Sequence, residues 1–176
     1  CIAYIPAGRR STYLDTHMSY FRMTINNPDP INSIRLDGNG SCVIKRIDIF
    51  QSSNLVETIP SYNIISNYIY DMQTTEASRV GLANVYGFDP SGDRSGAVIS
   101  AGSSLTVCMG FLSGVIGSQI DKMFPLGKLN DDIRLEIVFE SGEIGVSSTS
   151  LIPLGYTVSD FQLELTIVEL SDEAEM

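Results

Sequence analysis

The sequence predicts an all-β protein with one short helix. Stretches of alternating apolar and polar residues recur along most of the 176-residue chain, and this period-two alternation is typical of strands with one buried face. Clusters of Gly, Pro, Asn, Asp and Ser separate the stretches and predict turns. The length suffices for one domain with a well-buried core and is too short for two ordinary domains.

Four strands are expected in the first fifty residues, at positions 2–5, 20–25, 34–36 and 42–50. In the second of them, Phe21, Met23 and Ile25 share the face that should be buried. Between the third and the fourth lies Asp37-Gly38-Asn39-Gly40, whose glycines and asparagine tolerate positive φ, so we expect a hairpin there.

One segment has helical periodicity. Ser61 follows Pro60 and is expected to cap the first turn. The apolar residues that follow fall on one helical stripe: Tyr62, Ile65, Tyr68, Ile69 and Met72. Because the stripe offers no charged or nucleophilic group, we expect it to seal one end of a sandwich.

The second half returns to strands. We expect them at positions 80–86, 104–109, 133–140, 156–158 and 161–170. In the third of these, Ile133, Leu135, Ile137 and Phe139 should face the core. Residues 87–96 and 141–150 are predicted to be long loops, residues 111–120 to be bent or helical, and residues 124–127 to form a turn.

About eight strands, one helix and long polar loops predict a β-sandwich of the jelly-roll type. The chain shows no internal repeat and no alternation of strands with helices, so a parallel α/β fold is not expected. We assign residues 1–170 to this jelly-roll domain.

Composition and charge argue against some classes of function. Acidic residues outnumber basic ones by 21 to 11, for a net charge of -10, which argues against direct binding of nucleic acid. No apolar run approaches the length that spans a bilayer. Only 18% of residues are charged, which suits a protein that buries much of its surface against neighbours and also suits a secreted lectin.

The three cysteines, Cys1, Cys42 and Cys108, are far apart in the sequence. An odd number without metal-like spacing does not describe a disulfide framework. We expect buried free thiols.

No nucleophilic or zinc site is evident. The single histidine, His17, cannot build a zinc site alone. Asp15 and Ser11 are near it in sequence, but no Gly-x-Ser-x-Gly elbow occurs, so His17 is expected at the surface or at an edge.

The sequence patterns of other catalytic and binding sites are not met either. Glu136, Glu164, Glu140 and Glu143 could serve glycoside hydrolysis only as close pairs, and tryptophan, the preferred sugar-stacking residue, is absent. Asp89 and Asp93 could share a cation, but solvated loop carboxylates are the commoner case. The glycines of residues 110–117 lack the Lys-Ser/Thr that closes a phosphate loop. We therefore predict no enzyme, no catalytic residues, no metal and no cofactor.

Several segments resemble one protein family. Four segments are similar to the first, N-terminal jelly roll of double jelly-roll major capsid proteins. They are residues 13–23 (YLDTHMSYFRM), residues 38–72 with their Tyr62-led helix, the Pro125-Leu126-Gly127 turn, and residues 156–175. These proteins occur in virophages, polinton-like viruses and large eukaryotic DNA viruses. Residues 73–123 do not contribute to the resemblance.

The resemblance implies a structural role in a virion, made in the host cell interior. Family members trimerise into pseudo-hexameric capsomers that assemble an icosahedral shell. The implied partners are other copies of the chain, a second jelly roll of the same polypeptide, and penton or minor capsid proteins. Residues 171–176 would be an acidic linker toward that second jelly roll. The alternative is a jelly-roll module that binds a glycan or a protein without catalysis.

Overall fold

In this computed structural model, which describes residues 1–117, 122–142, 144–148 and 155–171, the protein is mostly β with two helices. The helices are α1 (Tyr62–Gln73) and α2 (Glu76–Tyr86). The described strands number ten: β1 (Ile2–Ile5), β2 (Thr12–Asn26), β3 (Ile34–Leu36), β4 (Ile44–Gln51), β5 (Asn54–Pro60), β6 (Val98–Ile99), β7 (Ser104–Gly110), β8 (Ile133–Phe139), β9 (Val146–Ser148) and β10 (Thr157–Glu169). The predicted predominance of strands is confirmed.

The strands form three antiparallel sheets. The four-stranded sheet has the order β1-β8-β4-β5, and the long sheet has the order β10-β2-β7. A small sheet has the order β6-β3-β9. Each of its strands comes from a different connection between strands of the two larger sheets, so three long connections meet in one place.

The two larger sheets supply one hydrophobic core. Phe21, Met23 and Ile25 of β2 are buried together with Ile133, Leu135 and Ile137 of β8, as their alternation predicts. Phe139, also expected to face the core, is half-buried and packs against it.

The strand count differs from the predicted eight. Residues 156–158 and 161–170 were expected as separate strands, but β10 is continuous and absorbs its irregularities as register shifts against β2. Short strands β6 and β9 and the edge strand β5 add to the count. Strand β9 lies within residues 141–150, where we expected a loop.

The expected strand over residues 80–86 is wrong, because that segment belongs to α2. The Thr75 hydroxyl accepts a hydrogen bond from the Ser78 amide (3.3 Å), and Glu76 lies in the first turn. Gly87 ends the helix at φ 72°, in the left-handed region where glycine is favoured. The described part of the chain therefore has two α-helices, where one was expected.

The expected hairpin at Asp37-Gly38-Asn39-Gly40 is also wrong. Strands β3 and β4, on either side of it, belong to different sheets. The Asn39 side chain accepts from the Ser41 amide at 2.8 Å and caps a 3-10 turn over Gly40–Val43. Gly38 has the positive φ expected of this segment (83°), whereas Asn39 is extended at φ -156°. The pairing of the strands is decided by distant segments.

Helix α1 begins where predicted, yet Ser61 does not cap it with its side chain. Ser61 adopts a left-handed conformation (φ 52°, ψ 44°) and makes no side-chain cap hydrogen bond. The expected burial of the stripe is confirmed for Tyr62 and wrong for Tyr68 and Met72. The buried residues of α1 are Tyr62, Ser66 and Tyr70, while Tyr68 and Met72 are 66% and 70% exposed.

Candidate functional site

His17 lies on the surface, as predicted, in a bulge of β2. The Asp15 carboxylate accepts from the backbone amides of His17 and Met18, both at 3.1 Å. The Ser19 hydroxyl donates to the Asp15 carbonyl at 2.6 Å and accepts from the Thr166 amide at 3.0 Å. Asp15 therefore shapes the backbone of the bulge. Ser11 lies in the turn before β2, where its carbonyl accepts from the Leu170 amide.

Three of the four carboxylates considered for glycoside hydrolysis form ion pairs with basic side chains. Glu136 forms an ion pair with Arg134 on the four-stranded sheet, and Glu164 forms one with Arg22 on the long sheet. Glu140 forms an ion pair with Lys45 at 3.5 Å. Each of these carboxylates thus has a basic neighbour. Glu143 lies outside the described residues.

Asp89 and Asp93 bind their own loop. The Asp89 carboxylate accepts from the Ser91 hydroxyl at 2.6 Å and from the Ser91 amide at 2.8 Å, and these bonds, with Arg35 nearby, lower the pKa of Asp89. Asp93 accepts from the Arg94 amide at 2.6 Å. Within the described ranges, no cluster of three or more His, Cys, Asp or Glu side chains is arranged to hold a metal ion.

The glycine-containing segment after β7 binds a carboxylate of the protein itself. Glu57 accepts from the Ser113 hydroxyl (2.5 Å), the Gly114 amide (2.8 Å) and the Val115 amide (3.3 Å). Backbone amides of this kind are the groups that cradle phosphates in other proteins. Here the amides bind Glu57, and these hydrogen bonds connect the segment to β5. The role of Glu57 was not predicted, since the partners are more than fifty residues apart.

Cys42 is the only one of the three cysteines that is buried, and burial raises its pKa to about 12. Partial burial also raises the pKa of Cys108, whereas Cys1 is exposed. The expectation of buried free thiols therefore holds for Cys42 and is wrong for Cys1. Neither Cys42 nor Cys108 has the lowered pKa of an activated nucleophile.

The outward side of α1 carries a group of exposed apolar side chains. Ile64, Ile65, Tyr68 and Met72 form what we call the outer stripe, and they are 66%, 38%, 66% and 70% exposed. Beside them is a groove of about 350 Å³ with a mixed lining, which includes the apolar Ile59, Ile69 and Leu112 and the polar Glu57, Gln73 and Ser113. Contiguous exposed apolar residues are typical of surfaces that contact proteins, membranes or ligands.

Polar contacts hold α1 in this orientation. The Ser66 hydroxyl hydrogen-bonds the Ser41 hydroxyl, and the Asn67 amide nitrogen donates to the Asp37 carbonyl at 2.7 Å. The Tyr62 hydroxyl accepts from the Leu112 amide at 3.3 Å. The sequence pattern hides this arrangement, because the buried side of α1 is partly polar and the exposed side is apolar.

No helix in the described part of the chain is long and apolar enough to cross a membrane. Comparison with known proteins adds no assignment, since no protein-family model and no curated protein matches the sequence.

Proposed function

We propose that the chain is a jelly-roll unit of a double jelly-roll major capsid protein, with a structural and non-catalytic role in a virion. In this proposal it trimerises into pseudo-hexameric capsomers together with a second jelly roll of the same polypeptide. Penton or minor capsid proteins would be further partners in the icosahedral shell.

The order of strand pairing is the observation that carries the proposal. A jelly roll is a long antiparallel hairpin wound into two sheets, so its strand pairs are nested and alternate between the sheets. The pairs β4·β5, β3·β6, β2·β7 and β1·β8 form a nested series. The pair β3·β6 lies in the small sheet, and the other three alternate between the four-stranded and the long sheet. Winding the hairpin also brings strands of different pairs side by side within each sheet, which accounts for the pairing of β4 with β8 and of β10 with β2.

The connections support an assembly role. The segments between β2 and β4, between β5 and β7 and between β8 and β10 each contribute one strand to the small sheet. A jelly roll projects its loops from its ends, where they can vary without disturbing the core. Structured loops gathered in this way would provide a firm contact surface for neighbouring subunits.

A jelly roll with this strand order has one further strand position, beside the outer edge of β10. In the described ranges β10 pairs with β2 and has no strand on its other side. Hydrogen exchange in the complete protein tests the fold at this edge. Protection of the β10 amides that do not bond to β2 is expected, and rapid exchange there would contradict a closed jelly roll.

The function is tested by expressing the complete gene and examining the product by analytical ultracentrifugation and electron microscopy. Trimers and closed particles are expected. A stable monomer that is retarded on a glycan column would instead support the alternative, a jelly-roll binding module, and would overturn the capsid proposal.

A further inference from the structure

We infer that a pocket between α2 and the outward face of the long sheet binds a small, uncharged aromatic molecule. The pocket has a volume of about 370 Å³, and α2, β2 and β7 all contribute to its lining. Small-molecule sites are typically concave pockets of roughly 300–1,000 Å³ with apolar and aromatic walls and a few polar groups. The inference goes beyond the proposed function and does not depend on it.

The floor of the pocket lies where β7 carries a glycine. The buried residues of β7 include Val107 and Met109. Cys108 and Gly110 alternate with them and therefore lie on the outward face of the sheet. Gly110 is paired with Tyr20 of β2. A Cβ atom at Gly110 would meet nothing within 4 Å, so the absent side chain leaves open space in the pocket.

Helix α2 supplies another wall, with Leu82, Val85 and Tyr86. Their spacing of three and four residues places them on one face of the helix. The Tyr86 ring packs edge-on against Tyr70 at 5.3 Å and contacts the ring of Phe88 at 5.8 Å. Because these contacts fix the Tyr86 ring, an aromatic wall is already in place before a ligand binds, which favours affinity.

A bulge in β2 places His17 in the lining of the pocket. Four residues of β2, 16–19, lie opposite a single residue of β10 at this point, and the consecutive His17 and Met18 are both exposed. The Asp15 carboxylate binds both of their amides, and the Ser19 hydroxyl accepts from the Thr166 amide. Bulges are common beside functional sites because they redirect a side chain. Here the redirected residue is His17.

The lining determines the class of ligand. Its described residues include no Lys, Arg, Asp or Glu, so a charged ligand would lose water without gaining a counter-charge. The net charge of -10 disfavours an anion further. Tyr20 and Tyr86 offer rings against which an aromatic molecule can pack. The polar groups of His17, Cys108 and the two tyrosines can exchange hydrogen bonds with an N–H or O–H group of the ligand.

The test measures how far indole, an uncharged aromatic molecule with an N–H donor, protects Cys108 of the complete protein from iodoacetamide. Cys108 lines the pocket and is partly exposed, so a bound ligand should cover its thiol. A ligand of this size should have a dissociation constant of about 1 mM, so indole at about 10 mM should slow the alkylation of Cys108 about tenfold. Peptide mapping gives the rates. The exposed Cys1 is the internal control, and its rate should not change.

Gly110→Leu fills the pocket, because Gly110 has room for a side chain. The affinity for indole should fall at least about tenfold in this variant, which reduces the protection of Cys108 to about twofold or less. Gly155→Leu is the matched control, since a Cβ at Gly155 also meets nothing within 4 Å and Gly155 is not among the described lining residues. Tyr20→Ala, which removes one ring at a 39% exposed position, serves the same purpose if Gly110→Leu does not fold.

Four outcomes would overturn the inference. Equal alkylation of Cys108 with and without indole would show that the pocket binds no such molecule, and a Cys108 that never reacts in the folded protein would show that the pocket is closed. Equal protection in the wild type and in both pocket variants would show that indole acts elsewhere. Benzoate, which is similar in size but negatively charged, should protect much less, and equal protection by benzoate would contradict the class of ligand.

Discussion

Phe139 of β8 packs edge-on against Phe161 of β10, with ring centroids 6.0 Å apart and planes at 72°. Phe161 also stacks on Phe21 of β2 at 5.9 Å. One ring therefore touches both larger sheets, and it does so from the edge strand of the long sheet. Aromatic pairs in these geometries stabilise a fold beyond the area that they bury.

Phe161→Ala should loosen the junction between the two sheets. For a fully buried ring the substitution would lower the free energy of unfolding by about 3–5 kcal/mol, and because Phe161 is only half-buried we expect about 2 kcal/mol. Urea unfolding followed by circular dichroism measures this free energy. Ile167→Ala on the same strand is the control, since Ile167 is 44% exposed and should lose clearly less. Equal losses in the two variants would show that the ring does not join the sheets.

Ile137→Asp should abolish soluble folding. Ile137 is 3% exposed in β8 and lies opposite Ile47 of β4, so an aspartate there would be buried without a partner. The neighbouring Val138 is 37% exposed on the other face of the strand, and Val138→Asp should remain soluble. Soluble expression followed by circular dichroism distinguishes them. A folded, soluble Ile137→Asp protein would contradict the strand assignment.

The sequence predicted these strand faces because they depend on local alternation. In β2 and β8 one face is buried, so a period of two is visible in the residues themselves. The strand expected over residues 80–86 is wrong because this segment lies within α2, whose ends are set by Thr75 and Gly87.

The orientation of α1 could not be predicted for a different reason. A helix normally buries its apolar stripe, but here Ser66 and Asn67 bond to residues about 25 to 30 positions earlier in the chain. Those partners become neighbours only after the chain has folded. The hairpin expected between β3 and β4 does not form because β3 pairs with β6 and β9. These strands are also distant from β3 in the sequence.

Gly127→Ala should destabilise the turn before β8. A Cβ atom at Gly127 would collide with the Arg9 carbonyl oxygen and come within 2.5 Å of the Arg10 carbonyl oxygen, both of which are backbone atoms. We expect a loss of about 2 kcal/mol, as for other overpacked positions. Gly110→Ala is the matched control, because a Cβ there meets nothing within 4 Å. Thermal unfolding compares the two, and equal midpoints would refute the close approach at Gly127.

The three cysteines should react with iodoacetamide at different rates at pH 8. Cys1 is exposed and should alkylate first, and Cys108 should follow more slowly because its pKa is raised by partial burial. Cys42, buried and with a pKa of about 12, should react only when the protein unfolds. Peptide mapping by mass spectrometry measures the order, and labelling in urea is the control in which all three react. Fast labelling of native Cys42 would contradict its burial.

Asp29 should make the stability of the protein depend on pH. Its carboxylate accepts from the Asn32 and Ile31 amides, both at 2.7 Å, and these bonds lower its pKa. Because the folded pKa lies below the unfolded value of about 4, the stabilisation is fully present above that pH and is lost as the pH falls through the folded pKa. Asp29→Asn cannot ionise, so it should be less stable than the wild type at pH 7. Urea midpoints should converge between pH 7 and pH 3, and a constant difference would show that the charge of Asp29 does not stabilise this turn.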